Sequence, residues 1–371
     1  MRVVLGLSGD PGRVAVERAV AELRSGRPVA VVEGESRLLV VGVEGLDEAL
    51  CTQLDGAAGG RGHLVLPPAR LRRLGHELGK GAGSVAPLER GEAGTIALPV
   101  VDHARVAALA LEADARLDAP VRPASALDRA GLELARLALA LPAIVAVPLG
   151  PCVVLDASIV QVTADALRAH RQAEARAITL VSRAPVPLEG APDTEFAVFR
   201  GGEGLRDQVA VIVGRPDLGR PVPVRLHSAC LTGDLFGSLK CDCGDQLRRT
   251  VQEMAAGEGG ILLYLDQEGR GNGIANKMRA YRLQAQGYDT YDADEVLGFD
   301  LDGRRFDFAA AMLRQLGVTR VRALTNNPLK IEALRQAGLE VISEHRVVGR
   351  RNAHNLSYLA AKRDRAGHAI D

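Results

Sequence analysis

The sequence predicts an α/β protein of two domains. Short apolar stretches that read as strands alternate with stretches of helical periodicity along most of its 371 residues. A chain of this length is expected to form two domains, each large enough to bury a core. The composition also changes, because every Phe and Tyr lies at or beyond Phe196. We place the domains at 1–172 and 177–371, joined through the polar, alanine-rich stretch 164–177.

Elements of the first half follow from periodicity and from proline or glycine at their ends. Helices are predicted over 13–25, from Pro67-Pro68 to Gly75, near 104–113 and over 126–140, with strands over 28–32, 38–43 and 144–147 and a flexible turn at 79–83. His63, His76 and His103 are isolated in the sequence, and we predict surface or core histidines.

In the second half, two helices carry apolar stripes. Helix 274–286 is predicted to bury Ile274, Met278, Tyr281 and Ala285, and a helix ending at Gly317 is predicted to bury Phe308, Met312 and Leu316. Strands are predicted over 261–265 and 318–324. Asn327 and Pro328 begin a further helix that ends before Gly338.

Bulk properties argue against several classes of function. Acidic and basic residues balance at net charge zero and no basic tract exists, so neither nucleic acid nor a membrane surface is an expected partner. The longest apolar run, 137–149, is too short to span a bilayer and contains two prolines. The N-terminus reads as a strand rather than a signal peptide. Five cysteines, three of them clustered, fit a reducing cytosol, so we expect a cytoplasmic protein.

The clustered cysteines are Cys230, Cys241 and Cys243, with His227 just upstream. Thiolates favour Zn²⁺, and three protein ligands leave a fourth tetrahedral position open, as in catalytic zinc sites. An extended segment would direct Cys241 and Cys243 to one side, and Gly233 and Gly237 would ease the loop closure that brings Cys230 to them. The alternative is three buried, reduced thiols.

Two strand–turn–helix junctions add candidate phosphate contacts. The glycine-rich turn 266–273 contains Arg270, and such turns allow backbone N–H groups to approach phosphates, although many are merely turns. Thr325 and Lys330 follow a strand, and ligands bind at the carboxyl ends of strands in α/β folds.

These motifs resemble GTP cyclohydrolase II, an enzyme that opens the guanine imidazole ring at the entry to riboflavin synthesis. The resemblance runs from His227–Asp234 and Cys241–Gly244 through Gln267–Arg270 and Asn276–Tyr281 to Asp302–Arg304 and Thr325–Pro328, about half the chain. It implies one Zn²⁺ on the three cysteines, Mg²⁺ with the triphosphate, GTP as substrate and a homodimer. The implied substrate contacts are Arg225, Leu226, His227, Ser228, Gln246, Glu268, Gly269, Arg270, Thr290, Thr325 and Lys330.

The resemblance also implies catalytic roles for three residues. Asp302 would be a general base and Arg304 a nucleophile on the α-phosphorus, which requires a carboxylate to take the arginine's proton. A loop salt bridge is the alternative for this pair. Tyr281 would assist proton handling, and a core position is its alternative.

Three departures from the family pattern concern substrate and product: Ala229, Asp266 and Gly271-Asn272-Gly273. They leave open a related enzyme of pyrimidine breakdown, or a variant that stops at the formamido product, which product mass would reveal. A non-enzymatic, zinc-stapled nucleotide-binding module is a further alternative. Against this alternative, the sequence lacks the aromatic and basic surface that proteins use to bind single-stranded nucleic acid.

The first half resembles 3,4-dihydroxy-2-butanone 4-phosphate synthase in 15–32 and 62–75. The acidic Mg²⁺ loop of that family is reduced here to Glu33-Gly34-Glu35-Ser36, and its His-Thr-Glu step is missing after Arg129-Ala130-Gly131. Since Mg²⁺ needs several oxygen ligands, we interpret Glu33 and Glu35 as solvated turn carboxylates and expect a catalytically silent domain.

Overall fold

The fold was analysed in a computed structural model of the chain. It describes residues 10–76, 91–202, 207–299, 303–347, 349–350, 352–356, 360 and 363–364. The chain divides into two compact units, one formed by residues 1–170 with 292–300 and the other by 171–291 with 301–371. Both units are mixed α/β.

The first unit is built around a seven-stranded sheet. In chain order its elements are α1 (Pro11–Arg24), β1 (Val29–Glu33), β2 (Ser36–Gly42), α2 (Glu48–Ala58), β3 (Gly62–Leu66), α3 (Pro68–Arg73), β4 (Gly94–Leu98), α4 (His103–Leu111), β5 (Val121–Pro123), α5 (Ala126–Leu137), β6 (Ile144–Leu149) and β7 (Val160–Thr163). The strand order is β5-β4-β3-β6-β2-β1-β7, and only the β1–β7 pair is parallel.

The predicted helices and strands of this half are confirmed, with ends displaced by a few residues, except for the strand predicted at the N-terminus, which lies outside the described residues. Local chemistry sets those ends. Asp10 caps α1 by accepting from the Gly12 N–H, and Ser125 and Asp128 form a capping box at the start of α5. The core is aliphatic, as the composition indicates, with α1 and α5 packed on the sheet. The turn predicted at 79–83 lies outside the described residues.

Arg70 is the largest fully buried side chain of the first unit. Its guanidinium donates to the carbonyl oxygens of Leu109 (2.7 Å), Glu112 (2.6 Å) and Val296 (3.0 Å). These acceptors lie at helix C-termini, where carbonyl groups have no partner within the helix. Arg70 thus holds part of 292–300 within this unit.

The second unit carries the remaining elements. They are α6 (Ala164–Ala177), which begins in the first unit, then β8 (Thr179–Pro185), β9 (Thr194–Arg200), β10 (Asp207–Val213), β11 (Val222–Ser228), α7 (Leu231–Asp234), α8 (Cys243–Ala256), β12 (Gly260–Leu265), α9 (Ile274–Ala285), α10 (Thr290–Val296), whose residues 292–296 belong to the first unit, α11 (Asp307–Gln315), β13 (Arg320–Leu324), α12 (Pro328–Gln336) and β14 (Glu340–His345). The strand order is β14-β13-β11-β12-β10-β9-β8. The first four are parallel and the rest antiparallel.

Sequence periodicity predicted α11 correctly and α9 incorrectly. Phe308 and Met312 of α11 are fully buried in the core of this unit. In α9 the buried residues are instead Asn276, Ala280 and Leu283, and Met278 is 41% exposed. Asn276 is buried because its amide donates to the Asn272 carbonyl and accepts from an arginine, so a polar side chain occupies the inner face.

The N-cap at Asn327, with Pro328 in the first turn of α12, is confirmed. Among the described residues, no helix combines the length and apolar character needed to cross a bilayer.

Candidate active site

Three parallel neighbours, β13, β11 and β12, end at the same edge of the second sheet. The segments that leave these ends contain most of the predicted site residues. Ser228 closes β11, the 3₁₀ turn Glu268–Gly271 follows β12, and Thr325 follows β13. Loops at the carboxyl ends of parallel strands are the usual ligand sites of such sheets.

The three predicted cysteines come together beyond β11. Their sulfur atoms lie within 4.8 Å of one another, and the Cys230 and Cys241 sulfurs are 3.6 Å apart. Tetrahedral zinc with Zn–S bonds of about 2.3 Å requires sulfurs roughly 3.8 Å apart, so the cluster has the right size for one metal ion. The prediction of an extended segment is wrong, because Asp242 has φ −107° and ψ 11° and α8 begins at Cys243.

Two glycines allow the cysteine loop to close by providing space. A Cβ on Gly233 would lie 2.8 Å from the Cys241 sulfur and 3.1 Å from the Cys230 sulfur. A Cβ on Gly244 would lie 2.2 Å from the Gly233 carbonyl oxygen. Any larger side chain would therefore push α7 and α8 apart and open the cluster.

Asp234 anchors the cysteine loop, a role that the sequence analysis missed. Its carboxylate accepts from the Cys230 backbone N–H (2.8 Å) and the Tyr264 hydroxyl (3.0 Å), and it contacts His227 Nε2 at 3.1 Å. Burial lowers the pKa of His227, so the ring is neutral and donates from Nε2 to Asp234. The only available signal was the position of Asp234, one helical turn after Cys230.

A buried ammonium, that of Lys277, contacts the cysteine cluster. Hydrogen bonds from Cys241 and Cys243, together with this charge, hold the pKa of Cys230 far below its usual value, so Cys230 is a thiolate. Burial alone would lower the pKa of Lys277, but the charge of Cys230 raises it instead. Lys277 also pairs with Glu268 at 2.8 Å. Removing one partner of such a buried pair costs about 3–5 kcal/mol.

Tyr281 lies beside the cluster rather than in the core. Its ring is 4.7 Å from the Lys240 ammonium and 5.6 Å from that of Lys277. Burial raises the pKa of its hydroxyl to about 12, so the phenol is protonated at neutral pH and able to donate a proton.

Arg225 and Gln246 form a buried chain with the first turn of α8. The Arg225 guanidinium donates to Gln246 Oε1 at 2.5 Å and to the Leu324 carbonyl at 3.2 Å, and the Gln246 amide donates to Asp242. Burial lowers the pKa of Arg225 to about 10, which still leaves it cationic at neutral pH. This chain fixes α8, and with it Cys243, against β11 and β13.

Lys330 is buried beneath the ends of β11 and β13. Its ammonium donates to the Leu226 carbonyl at 2.6 Å and lies 5.3 Å from the Phe306 ring. Thr325, which directly follows β13, is also buried, and its hydroxyl accepts a hydrogen bond from the Asn327 N–H at 3.1 Å. The predicted contacts Leu226, Thr325 and Lys330 thus lie at the ends of neighbouring strands.

The turn after β12 has an unusual backbone. Gly269 and Arg270 have φ values of 60° and 62°, which is uncommon for a non-glycine residue such as Arg270. The Arg270 guanidinium donates to the Thr290 carbonyl at 3.2 Å and stacks on Tyr291 at 4.6 Å. Strained backbone of this kind clusters at functional sites.

Arg304 approaches the end of β11. One of its guanidinium nitrogens lies 3.4 Å from the Ser228 hydroxyl, and the group lies 5.6 Å from the Phe306 ring. Ser228 also lies 3.4 Å from Gln267. Asp302 lies outside the described residues, so the predicted Asp302–Arg304 pair stays a prediction.

The departures from the family pattern lie at the same strand ends. The Ala229 N–H donates to the Leu265 carbonyl at 2.7 Å, and the Asp266 N–H donates to Gln208 at 2.8 Å. Gly271 and Gly273 both have positive φ values, of 87° and 85°. The positive φ values therefore explain why glycine occupies 271 and 273. The side chains at 229 and 266 are the departures from the family pattern that change the chemistry beside the site.

Taken together, three cysteines that could hold one metal ion and several buried cations lie at the carboxyl edge of a parallel sheet. This combination is typical of α/β enzymes that bind a metal ion and an anionic substrate.

Comparisons with known proteins define the family. Residues 179–346 match the family model for GTP cyclohydrolase II. The chain is 45% identical over 372 residues to a GTP cyclohydrolase-2 of Xylella fastidiosa, covering 98% of this chain and 89% of that protein. It is 40% identical over 373 residues to a GTP cyclohydrolase-2 of Azospirillum brasilense, covering 95% and 93%. The chain belongs to the GTP cyclohydrolase II family and is an enzyme of that type.

Among solved structures, the chain is similar to a two-domain 3,4-dihydroxy-2-butanone 4-phosphate synthase from A. baumannii. The identity is 18%, the TM-score 0.33, and the match covers 90% of this chain and 99% of the other. A TM-score of that size does not establish a common fold, so the relation of the first half to that synthase family stays a prediction.

Proposed function

We propose that this enzyme hydrolyses GTP with the help of zinc, in the first step of riboflavin biosynthesis. The reaction opens the guanine imidazole ring, releases formate and pyrophosphate, and gives 2,5-diamino-6-(ribosylamino)pyrimidinone 5'-phosphate. The observation that carries the proposal is the cluster of Cys230, Cys241 and Cys243, whose Cys230 sulfur contacts the buried Lys277 ammonium, itself paired with Glu268. A zinc ion held by the three thiolates supplies a Lewis acid that activates water at neutral pH.

The cations of the site support binding of a triphosphate. Arg270 and Lys330 follow β12 and β13, and Arg304 approaches Ser228 at the end of β11. GTP would enter with its Mg²⁺ as the substrate complex. Arg225 is bonded to Gln246 and Leu324, so its role is to place α8 and to add positive charge rather than to grip phosphate directly. His227 and Leu226 contribute by holding Asp234 and Lys330 in place.

Other residues act on the base and on proton transfer. Glu268 is the candidate acceptor for the N1 and N2 protons of guanine, because a carboxylate can accept two parallel hydrogen bonds. Tyr281, protonated beside the cysteine cluster, is the candidate proton donor. Asp302 is proposed to take a proton from Arg304, which then attacks the α-phosphorus and displaces pyrophosphate. We expect a cytoplasmic homodimer, from the resemblance and from cysteine usage.

The test is to incubate the zinc-loaded protein with GTP and Mg²⁺ and to measure formate and pyrophosphate together with the product mass. Equal amounts of both products are expected. Absence of both would contradict the proposal.

A second product is favoured by one specific observation. Ala229 and Asp266 replace the side chains usual at two positions beside the site. An enzyme altered in this way would release pyrophosphate without formate and retain the formyl group on the product, which the same mass measurement detects. The non-enzymatic alternative loses its support, because the chain belongs to an enzyme family.

A further inference from the structure

Lys277 lies between a candidate metal ligand and a candidate substrate-binding carboxylate. Its side chain is only 11% exposed. The ammonium lies 3.1 Å from the Cys230 sulfur, 2.8 Å from Glu268 Oε1 and 3.0 Å from the Thr232 hydroxyl. A lysine ammonium has three N–H donors and no acceptor, so these three contacts use its whole hydrogen-bonding capacity.

The Glu268 carboxylate is held from the same side. Its Oε2 accepts from the Leu231 N–H at 2.5 Å, and its Oε1 accepts from the Gly269 N–H at 3.0 Å as well as from Lys277. Because Leu231 directly follows Cys230, the turn after β12 and the cysteine loop are joined at this carboxylate. Lys277 completes that connection with a charge.

The charge is needed because the site is buried. With a divalent ion bound, three thiolates would carry three negative charges, of which the ion would offset two, and Glu268 adds another in a region of low exposure. Unpaired charge in such surroundings is costly. Lys277 is the cation in direct contact with both the Cys230 sulfur and the Glu268 carboxylate.

The residue type matters as well as the charge. Only five of the chain's 46 basic residues are lysines. An ammonium is compact and can direct three N–H groups from one point, whereas the guanidinium of arginine is a planar fork. The arrangement of sulfur, hydroxyl and carboxylate around Nζ therefore suits lysine.

We propose that Lys277 is a positioning residue for the ring-opening reaction. It holds the Cys230 sulfur and the Glu268 carboxylate at a fixed separation and offsets the negative charge of the thiolate cluster. The inference rests on the proposed function for its kinetic part only, since the contact with the metal-binding thiolate is a property of the folded chain.

The first test is spectroscopic and independent of turnover. The full-length protein, its Lys277→Met variant and the control Arg282→Met are loaded with Co²⁺, and the thiolate-to-cobalt charge-transfer band is recorded. Removing an N–H···S hydrogen bond makes the sulfur a better electron donor, so the band should move to lower energy in Lys277→Met. Arg282 is an exposed cation on the same helix, and its variant should keep the parental band.

The second test is kinetic. Loss of a residue that orients a metal ligand typically costs 10–100-fold in activity, so kcat/KM for GTP should fall by roughly that factor in Lys277→Met. Both KM and kcat should change, because Glu268 and Cys230 are released together. Arg282→Met should keep the parental values.

Lys277→Arg tests whether the compact ammonium, and not only its charge, sets the separation of the Cys230 sulfur and the Glu268 carboxylate. It also replaces Lys277→Met as the test variant if that protein fails to fold. It keeps the charge, yet we expect a shifted band and reduced turnover. An Arg variant with parental band and turnover would overturn the claim of fixed separation, and a Met variant with both parental would overturn the whole proposal. If the parental protein releases no formate from GTP, the proposed function fails while the cobalt band still decides the role of Lys277.

Discussion

The two units of this protein contain sheets of equal size but bury different chemistry. Among the described residues, each sheet has seven strands and a mixed arrangement. In the second unit, Arg225, Glu268 and Lys330 are buried around the ends of parallel strands. In the first unit, the largest buried charged side chain of the described residues, Arg70, is bonded to backbone carbonyls at helix ends. Burying a charge is expensive. The buried charges around the strand ends of the second unit therefore indicate a functional site, whereas the buried arginine of the first unit indicates structural support.

The first unit also shows how its acidic positions are used. Glu33 and Glu35 are exposed, as predicted, and Glu33 pairs with Arg168 at 2.7 Å. Arg37, in the same turn region, donates to the carbonyls of Gly150 (2.7 Å) and Val153 (2.9 Å). An exposed ion pair of this kind is screened by solvent and contributes little to stability. These groups have the character of a solvated surface turn, and they support our proposal that this unit has no catalytic metal site.

The largest loss of activity is expected from changes to the three cysteines of the second unit. Replacing Cys230, Cys241 or Cys243 by Ser should remove the bound zinc and abolish formate release from GTP, because two remaining thiolates form an incomplete site. Metal content per chain and formate release are the measurements. Cys152→Ser, an exposed cysteine of the first unit, is the control and should retain both. Full activity in a Cys241→Ser protein without zinc would contradict the account.

A somewhat smaller effect is expected at Arg304. Arg304→Ala should leave the thermal unfolding midpoint near the parental value, since the group is one of several polar contacts at the strand ends. Turnover should fall by roughly 10²–10³-fold, the usual cost of removing a charge that stabilises a transition state. Arg305→Ala, whose side chain pairs with Asp307, is the control.

Asp302→Ala is expected to behave like Arg304→Ala, because the two residues are proposed to act as a pair. Pyrophosphate release near the parental rate in either variant would show that the phosphoryl-transfer role given to that residue is wrong.

The smallest effect concerns stability in the first unit. Burial alone would raise the pKa of Asp128, but hydrogen bonds from His63 (2.7 Å) and Ser125 outweigh it and lower the pKa below the usual value. The stabilisation is therefore present above about pH 4, the unfolded value, and is lost as pH falls through the folded pKa. Asp128→Asn should cost about 1–3 kcal/mol at neutral pH.

Urea unfolding of the parental protein and Asp128→Asn across this pH range measures that effect. The difference in the free energy of unfolding should shrink on acidification, while GTP turnover at neutral pH stays parental. A difference that does not depend on pH would mean that the Asp128 charge contributes nothing.

Much of the fold follows from local sequence signals, and the exceptions have physical causes. The stripe of α11 predicted its buried face correctly because Phe308 and Met312 pack against one aliphatic core. The stripe of α9 failed because that helix lies beside a polar site, where Asn276 is buried and Met278 is exposed. Apolar periodicity predicts the buried face of a helix only when one face packs on an apolar core and the other faces solvent.

The candidate site was predictable in its ligands and not in its supporting residues. Three cysteines within fourteen residues gave a strong signal, and the structure brings them together. Lys277 gave none, since a lysine in a helix is normally solvated, and Asp234 gave only its position one helical turn after Cys230. His63, which seemed isolated, is bonded to Asp128, 65 residues away, a contact that no local pattern encodes.

The central claim is that catalysis resides in the second unit alone, and one readout can test it directly. Both GTP ring opening and the synthase reaction on ribulose 5-phosphate release formate. We would give the same zinc-loaded protein, with Mg²⁺, either GTP or ribulose 5-phosphate and measure formate against samples without protein. The account predicts formate from GTP, lost in Cys230→Ser, and none above background from ribulose 5-phosphate. Formate from ribulose 5-phosphate that persists in Cys230→Ser would contradict it and make the first unit a second catalyst.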